Sequence, residues 1–324
     1  MEARYAPPMA LGLPDVLVGC WTDTELDTGV TVILPPAGTL GSVAVRGGAP
    51  GSREMAPLSP HTSGQECHGV VLCGSSVFGL SAADGVVDWC VEHGRGYAIR
   101  DVVVPVVSAA VVYDLAGAGH ARLGPEAGRA ACESASVDDP VEGSVGVGRG
   151  CTVGKHGGRQ HASKGGQGWA VASSGDAVVG AIMGVNALGD VIDSSGDVLA
   201  GSRAPLDQPR YPHASLEELA AIAGDAPSGG NENTTIGCIV TNVALDKTAA
   251  YRAADLAHAG LTRAIHPAHT AADGDALFVL SAGEVVGGAD LVADLAATAV
   301  SEAIRRAVRA AESTPGRPRD PRLP

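Results

Sequence analysis

The sequence is poor in aromatics, in basic residues and in paired cysteines. Only 3% of its 324 residues are Phe, Trp or Tyr, although 45% are hydrophobic and 45 are glycine. A core without rings must be filled by Ala, Val, Leu and Ile with backbones close together, which suits layered sheets and helices better than a loose bundle. Acidic residues outnumber basic ones 36 to 22, a formal net charge of −14. A nucleic-acid binder needs a basic face to displace counterions, and no run of Lys or Arg supplies one. Seven cysteines stand at positions 20, 67, 73, 90, 132, 151 and 238, with no CxxC among them. An odd, scattered set reads as reduced thiols in a core, in a reducing compartment. No uncharged apolar window of about 18 residues offers a membrane span. The first 20 residues lack a basic start leading into an apolar run. No secretory signal is therefore expected, and the cytoplasm is the expected location.

What the chain does have is a sharp junction. Gly230-Asn231-Glu232-Asn233 is turn-forming, and Thr234-Thr235-Ile236-Gly237-Cys238-Ile239-Val240-Thr241 is apolar and β-branched. Gly, Asn and Glu disfavour strands, whereas Thr, Ile and Val favour them. A flexible loop thus enters a buried strand at Asn233-Thr234. A Thr-Thr pair at a strand start is usually only strand. A hydroxyl held there can also attack the preceding carbonyl, form an ester and hydrolyse. The freed Thr amine then becomes the base for its own hydroxyl.

The rest of the chain alternates strand and helix signals. Strands are expected at 29–34, 70–73, 234–245 and 276–280, and a hairpin at 169–172 and 177–184. The runs 102–107 and 109–112 read as buried sheet. Residues 1–20 read as an irregular arm. Helices are expected at 80–93, 124–135, 247–264 and 289–311, with Gly94 as a stop. Residues 195–233 read as an exposed linker with one helix at 215–223. The tail from Ser313 holds four prolines and three arginines and reads as disordered.

Several familiar signatures fail. A phosphate-binding P-loop needs Gly where Arg149 stands and Ser or Thr where His156 stands. A GxGxxG fingerprint from Gly146 meets Cys151, and a nucleophile elbow at Ser76 meets Phe78. His156 with His161, or His266 with His269, lacks a third ligand of matching spacing, so no metal and no cofactor is expected.

Taken in order, several stretches resemble one family. They are Val45-Arg46-Gly47-Gly48-Ala49-Pro50-Gly51, Gly74-Ser75-Ser76-Val77-Phe78-Gly79-Leu80, Val112-Tyr113-Asp114 and Gly148-Arg149-Gly150-Cys151-Thr152-Val153-Gly154-Lys155. Asn186-Ala187-Leu188-Gly189, Asn233-Thr234-Thr235-Ile236-Gly237 and Pro267-Ala268-His269-Thr270-Ala271-Ala272-Asp273-Gly274-Asp275 complete the set. Together they cover about residues 25–310. The chain resembles the self-processing amino-terminal-nucleophile hydrolases. That family includes the D-aminopeptidase/L-aminopeptidase–esterase group, the β-peptidyl aminopeptidases and the nylon-oligomer endo-hydrolases.

The resemblance implies an α/β (α+β) fold, a four-layer αββα sandwich of the N-terminal-nucleophile-like, DOM-type fold, in one domain over residues 1–312. It implies a cut into residues 1–233 and 234–324. Thr234 would be the nucleophile and Asn233 the residue whose carbonyl is attacked. Asp273 and Asp275, flanking one glycine, would both face Thr234. Lys155 would supply positive charge, Asn186 an amide hydrogen to the oxyanion, and Tyr113 a wall of the substrate site. Some members carry Ser as nucleophile, with Ser and Glu where Asp273 and Asp275 stand here. Cys238, four residues beyond Thr234, would share its face of the strand.

The expected activity is hydrolysis of small peptides, aminoacyl amides or amide oligomers through an acyl-enzyme on Thr234. The alternatives are an acyltransferase or amide-forming enzyme with the same nucleophile, and a non-catalytic homologue. The expected partners are the amide substrate, the chain's own cleaved subunit and further copies in a dimer or tetramer of processed pairs. Neither nucleic acid nor membrane is expected.

Overall fold

The computed structural model describes residues 9–115, 122–205, 207, 215, 217–218 and 233–324. Ten strands build two sheets: β1 (Leu17–Asp23), β2 (Thr28–Leu34), β3 (Leu40–Val45), β4 (Ser52–Arg53), β5 (Gly69–Cys73), β6 (Val107–Val111), β7 (Gly166–Ser174), β8 (Ala177–Asn186), β9 (Thr234–Val243) and β10 (Ala276–Val285). One sheet runs β1-β2-β5-β6-β4 and the other β7-β8-β9-β10-β3. Pairing is antiparallel except between β5 and β6 and between β9 and β10. The helices are α1 (Ala82–Glu92), α2 (Pro125–Glu133), α3 (Lys247–Ala257), α4 (Ala259–Thr262) and α5 (Ala289–Ala310).

Side-chain alternation along the strands sorts the core into three layers. Ile33, Val70 and Leu72 of the first sheet meet Ile182, Ile236, Val240 and Phe278 of the second between the sheets. Val30, Val32, Val71 and Ala109 face outward onto Ala82, Val86, Ala127 and Ala131 of α1 and α2. Val179, Ala181, Ile239, Leu277 and Val279 face outward onto the alanine-rich sides of α3 and α5. The result is the αββα sandwich. Scarce aromatics are offset by close approach, as at Gly168 of β7. A Cβ there would lie 2.3 Å from the Ala303 carbonyl oxygen of α5.

Most expected elements are present, with four differences. The first 20 residues are not wholly irregular, because β1 occupies Leu17–Asp23 and pairs with β2. Most of the run 102–107 is not buried sheet: Val102–Val104 pairs with Tyr97–Ile99 in a surface ribbon, with Val102 60% exposed, and only Val107 belongs to the buried β6. The helix expected over 247–264 is interrupted at His258, between α3 and α4. The early part of the expected linker is packed, since Val198–Ala200 pairs with Asp190–Ile192 and Ala200 and Ser202 are buried. The helix expected at 215–223 lies mostly outside the described residues.

The tail is not disordered either. It runs back over the body as a strap. Lys164 N donates to Pro318 O at 2.8 Å, and Arg317 Nη2 donates to Asp114 O at 2.7 Å. Asp320 accepts from Gly201 N at 2.8 Å and from Ser163 Oγ at 2.9 Å. Arg317 also pairs with Asp27. These are long-range bonds to buried partners, which composition alone does not reveal.

All seven cysteines are free, and six of them are buried. Cys238 sits between the sheets on the Thr234 side of β9, packed as core.

Gly168→Ala should destabilise the protein by about 1–3 kcal/mol, because its methyl meets helix backbone rather than a movable side chain. Gly64, with open space around it, should tolerate alanine within about 0.5 kcal/mol. Thermal melts of both variants check the contrast.

Candidate active site

The two central strands of the second sheet bring the expected residues together. Thr234 opens β9 and pairs in register with Asn186, the last residue of β8. On the other flank β9 runs parallel to β10, so the loop that precedes β10 arrives at the same end of the sheet. Asn233 bridges to Asp273 in that loop. Thr234, Asn186, Lys155, Asp273 and Asp275 are all buried.

The Asn233 carbonyl oxygen is held from two sides. Gly274 N donates to it at 2.8 Å, and Thr234 Oγ1 donates to it at 2.5 Å. Position 274 requires glycine, because a Cβ there would lie 2.8 Å from Thr234 Oγ1. The glycine-rich loop anchors this segment from behind. Ala49 N donates to Asp273 O at 2.8 Å and Arg46 N to Asp275 O at 3.0 Å. A Cβ on Gly47 would lie 2.3 Å from both the Asp273 oxygen and the Asp275 nitrogen. The stretch Arg46–Ala49 is thus the floor under the two aspartates.

The two carboxylates are used differently. Asp273 Oδ2 accepts from Thr270 N at 2.7 Å and from Thr270 Oγ1 at 2.6 Å. Burial, and then the neighbouring Asp275, raise its pKa above the ordinary value. Asp275 Oδ1 accepts from Thr235 N at 2.7 Å, and its Oδ2 accepts from His269 N at 3.1 Å and lies 2.8 Å from His269 Nδ1. Asp275 therefore does not turn its carboxylate to the Thr234 hydroxyl. It fixes the backbone of the next residue, from the helical side of the sheet.

Lys155 and Asn186 form a second pair. Lys155 Nζ donates to Asn186 O and to Asn186 Oδ1, each at 2.8 Å. Burial pushes Lys155 down to about 7. Asn186 Nδ2 donates to Tyr113 O at 2.9 Å, so in this structure the amide orients its neighbours. Tyr113 and Lys155 line one pocket, together with Thr152 and Asp114.

Three participants escaped the sequence reading. His269 holds Asp275 from a left-handed backbone, φ 58°, which is uncommon for a residue with a Cβ. His258 lies behind it, with ring centroids 4.9 Å apart, and burial drives its pKa down to about 4. Thr270 caps Asp273. A signal for His269 and Thr270 was present, since both lie a few residues before Asp273. His258, eleven residues before His269 and on another element, left none.

The profile of peptidase family S58 matches residues 12–321. An uncharacterized aminopeptidase of Mycobacterium bovis is 43% identical over 266 residues, 79% of this chain and 74% of that protein. The 6-aminohexanoate-oligomer endohydrolase of Paenarthrobacter ureafaciens is 33% identical over 278 residues, 84% of this chain and 74% of that protein. Among solved structures, the L-aminopeptidase D-Ala-esterase/amidase of Ochrobactrum anthropi superposes with a TM-score of 0.70. It is 21% identical, over 98% of this chain and 89% of that one, a likeness of fold alone. The chain belongs to peptidase family S58, and it is a peptidase or amidase with the amino-terminal-nucleophile hydrolase fold.

Proposed function

We propose that the chain cuts itself between Asn233 and Thr234 and then hydrolyses amides with Thr234 as nucleophile. The observation that carries this is the doubly held Asn233 carbonyl. The hydroxyl that would attack lies against it, and the Gly274 N–H that would receive the negative charge is already in place.

In the first step Thr234 Oγ bonds to the Asn233 carbonyl carbon, and its proton passes to the neutral amine of Lys155. The oxyanion is held by Gly274 N–H. The C–N bond then breaks, and Lys155 returns the proton to the Thr234 nitrogen. Water hydrolyses the resulting ester, which frees the hydroxyl and a terminal amine. Two acceptors on Asn186, its backbone and side-chain oxygens, hold the Lys155 amine in place. Asp273, beside the cut, holds the new terminal amine, and Asp275 positions Thr235 and so the strand entrance. Substrate amides follow the same path, with the terminal amine as base and an acyl-enzyme between two easier steps. Small peptides, aminoacyl amides and amide oligomers are the proposed substrates. The two fragments stay associated, and processed pairs assemble with further copies.

Thr234→Ala should leave one uncut, inactive polypeptide on a denaturing gel. Two fragments in that variant would remove the mechanism.

Self-cleavage should speed up as pH rises through about 7, where Lys155 loses its proton, and level off above it. The terminal amine does not yet exist at that stage, so the step reports on Lys155. Freshly translated chain, chased at fixed pH values, gives the profile. Lys155→Arg should abolish the step.

Asp275→Asn removes a charged partner from two amides and a ring nitrogen. Losing roughly 1.5–3 kcal/mol should slow self-cleavage about 10- to 100-fold. A variant cut at the wild-type rate would withdraw the role of Asp275.

A further inference from the structure

Beside Lys155 the protein is positively charged, against its overall balance. The pocket there is lined by Tyr113, Asp114, Thr152, Lys155, Arg159 and Arg317, among others. Arg159 lies over the Tyr113 ring, 5.4 Å from the centroid, which keeps its planar fork at the pocket. Arg317 arrives from the carboxy-terminal strap and is fixed by Asp27 and by the Asp114 carbonyl. Asp27 is shared, since Arg149 also pairs with it at 2.7 Å. Lys164, behind the wall, donates to Gly148 O at 2.9 Å and to Cys151 O at 3.1 Å. The other acid, Asp114, takes its bonds from Thr28 Oγ1 at 2.7 Å and Ser75 N at 2.6 Å, away from Arg159. Burial pushes it up to about 6. The pocket lining itself thus carries three basic side chains, Lys155, Arg159 and Arg317, against one carboxylate, Asp114, in a chain whose formal charge is −14. Such a concave positive site inside an acidic protein draws anions out of solution, and a guanidinium fork fits a carboxylate with two parallel bonds.

We propose that this pocket is a carboxylate subsite, walled on one side by the strap, and that it selects amides bearing a free carboxylate near the scissile bond. The substrate class is then short peptides or amino-acid oligomers cut close to their carboxyl end. The assignment rests on Thr234 as nucleophile for its link to turnover, but the subsite itself can be read by binding alone.

Two measurements on the mature protein separate these claims. In calorimetric titration, N-acetylglycine should bind about 10-fold tighter than the neutral N-acetylglycinamide, the discrimination a charge-assisted pair supplies. Arg159→Gln, at an exposed position in the turn Arg159–His161, should bring that ratio near one. Arg317→Gln should lower the ratio too. In turnover, trialanine should show a lower KM than trialanine amide, and Arg159→Gln should erase the difference. A wild-type protein that binds acid and amide within twofold of each other, or binds neither, overturns the subsite. A protein that binds the acid selectively but cuts neither peptide keeps the subsite and refutes short peptides as the substrate class. A protein that cuts both peptides with equal KM keeps the nucleophile and refutes the subsite.

Discussion

The site depends on one hydrogen bond between backbones, Gly274 N–H to Asn233 O. It ties the residue before the central strand β9 to the loop before its parallel neighbour β10. The parallel pairing makes this possible, because both strand entrances then lie at the same end of the sheet. Antiparallel β8 brings its own last residue, Asn186, to that end. Three chain segments far apart in sequence thus converge on Thr234.

That geometry also explains the division of labour among the polar residues. A buried carboxylate without partners is unfavourable, so each aspartate is capped: Asp273 by Thr270, and Asp275 by His269 and the Thr235 amide. The lysine is buried as well. Its amine is held by Asn186, and burial lowers its proton affinity toward neutral pH. The site combines one group that loses a proton easily with one carboxyl whose affinity for a proton is raised. Such a pairing suits acid–base work. The glycines at 47 and 274 are what allow backbone to approach backbone this closely.

The sequence made the long regular elements readable. The alanine-rich α5, the helix α1 and the strands flanking Asp176 carry strong periodicity, and the junction at Thr234 shows as an abrupt change in strand preference. The short strand β3 was missed because Gly41 and Ser42 weaken its pattern. The apolar run at Val102–Val104 was placed in the core because apolarity cannot tell a surface ribbon from a buried strand. The strap was read as disordered because its order comes from Asp27, Asp114 and Gly201, hundreds of residues away in sequence for the first two. The pairing of Lys155 with Asn186, and of Asp275 with His269, needs the fold before it can be seen. The residue types were legible, but which carboxylate faces which partner was not.

Everything here turns on a threonine becoming an amino terminus. Amino-terminal sequencing of the smaller fragment of the purified, active protein tests this most directly. The account predicts a single sequence beginning Thr-Thr-Ile-Gly. A different first residue, or full activity in a preparation that contains only the unbroken chain, would contradict it.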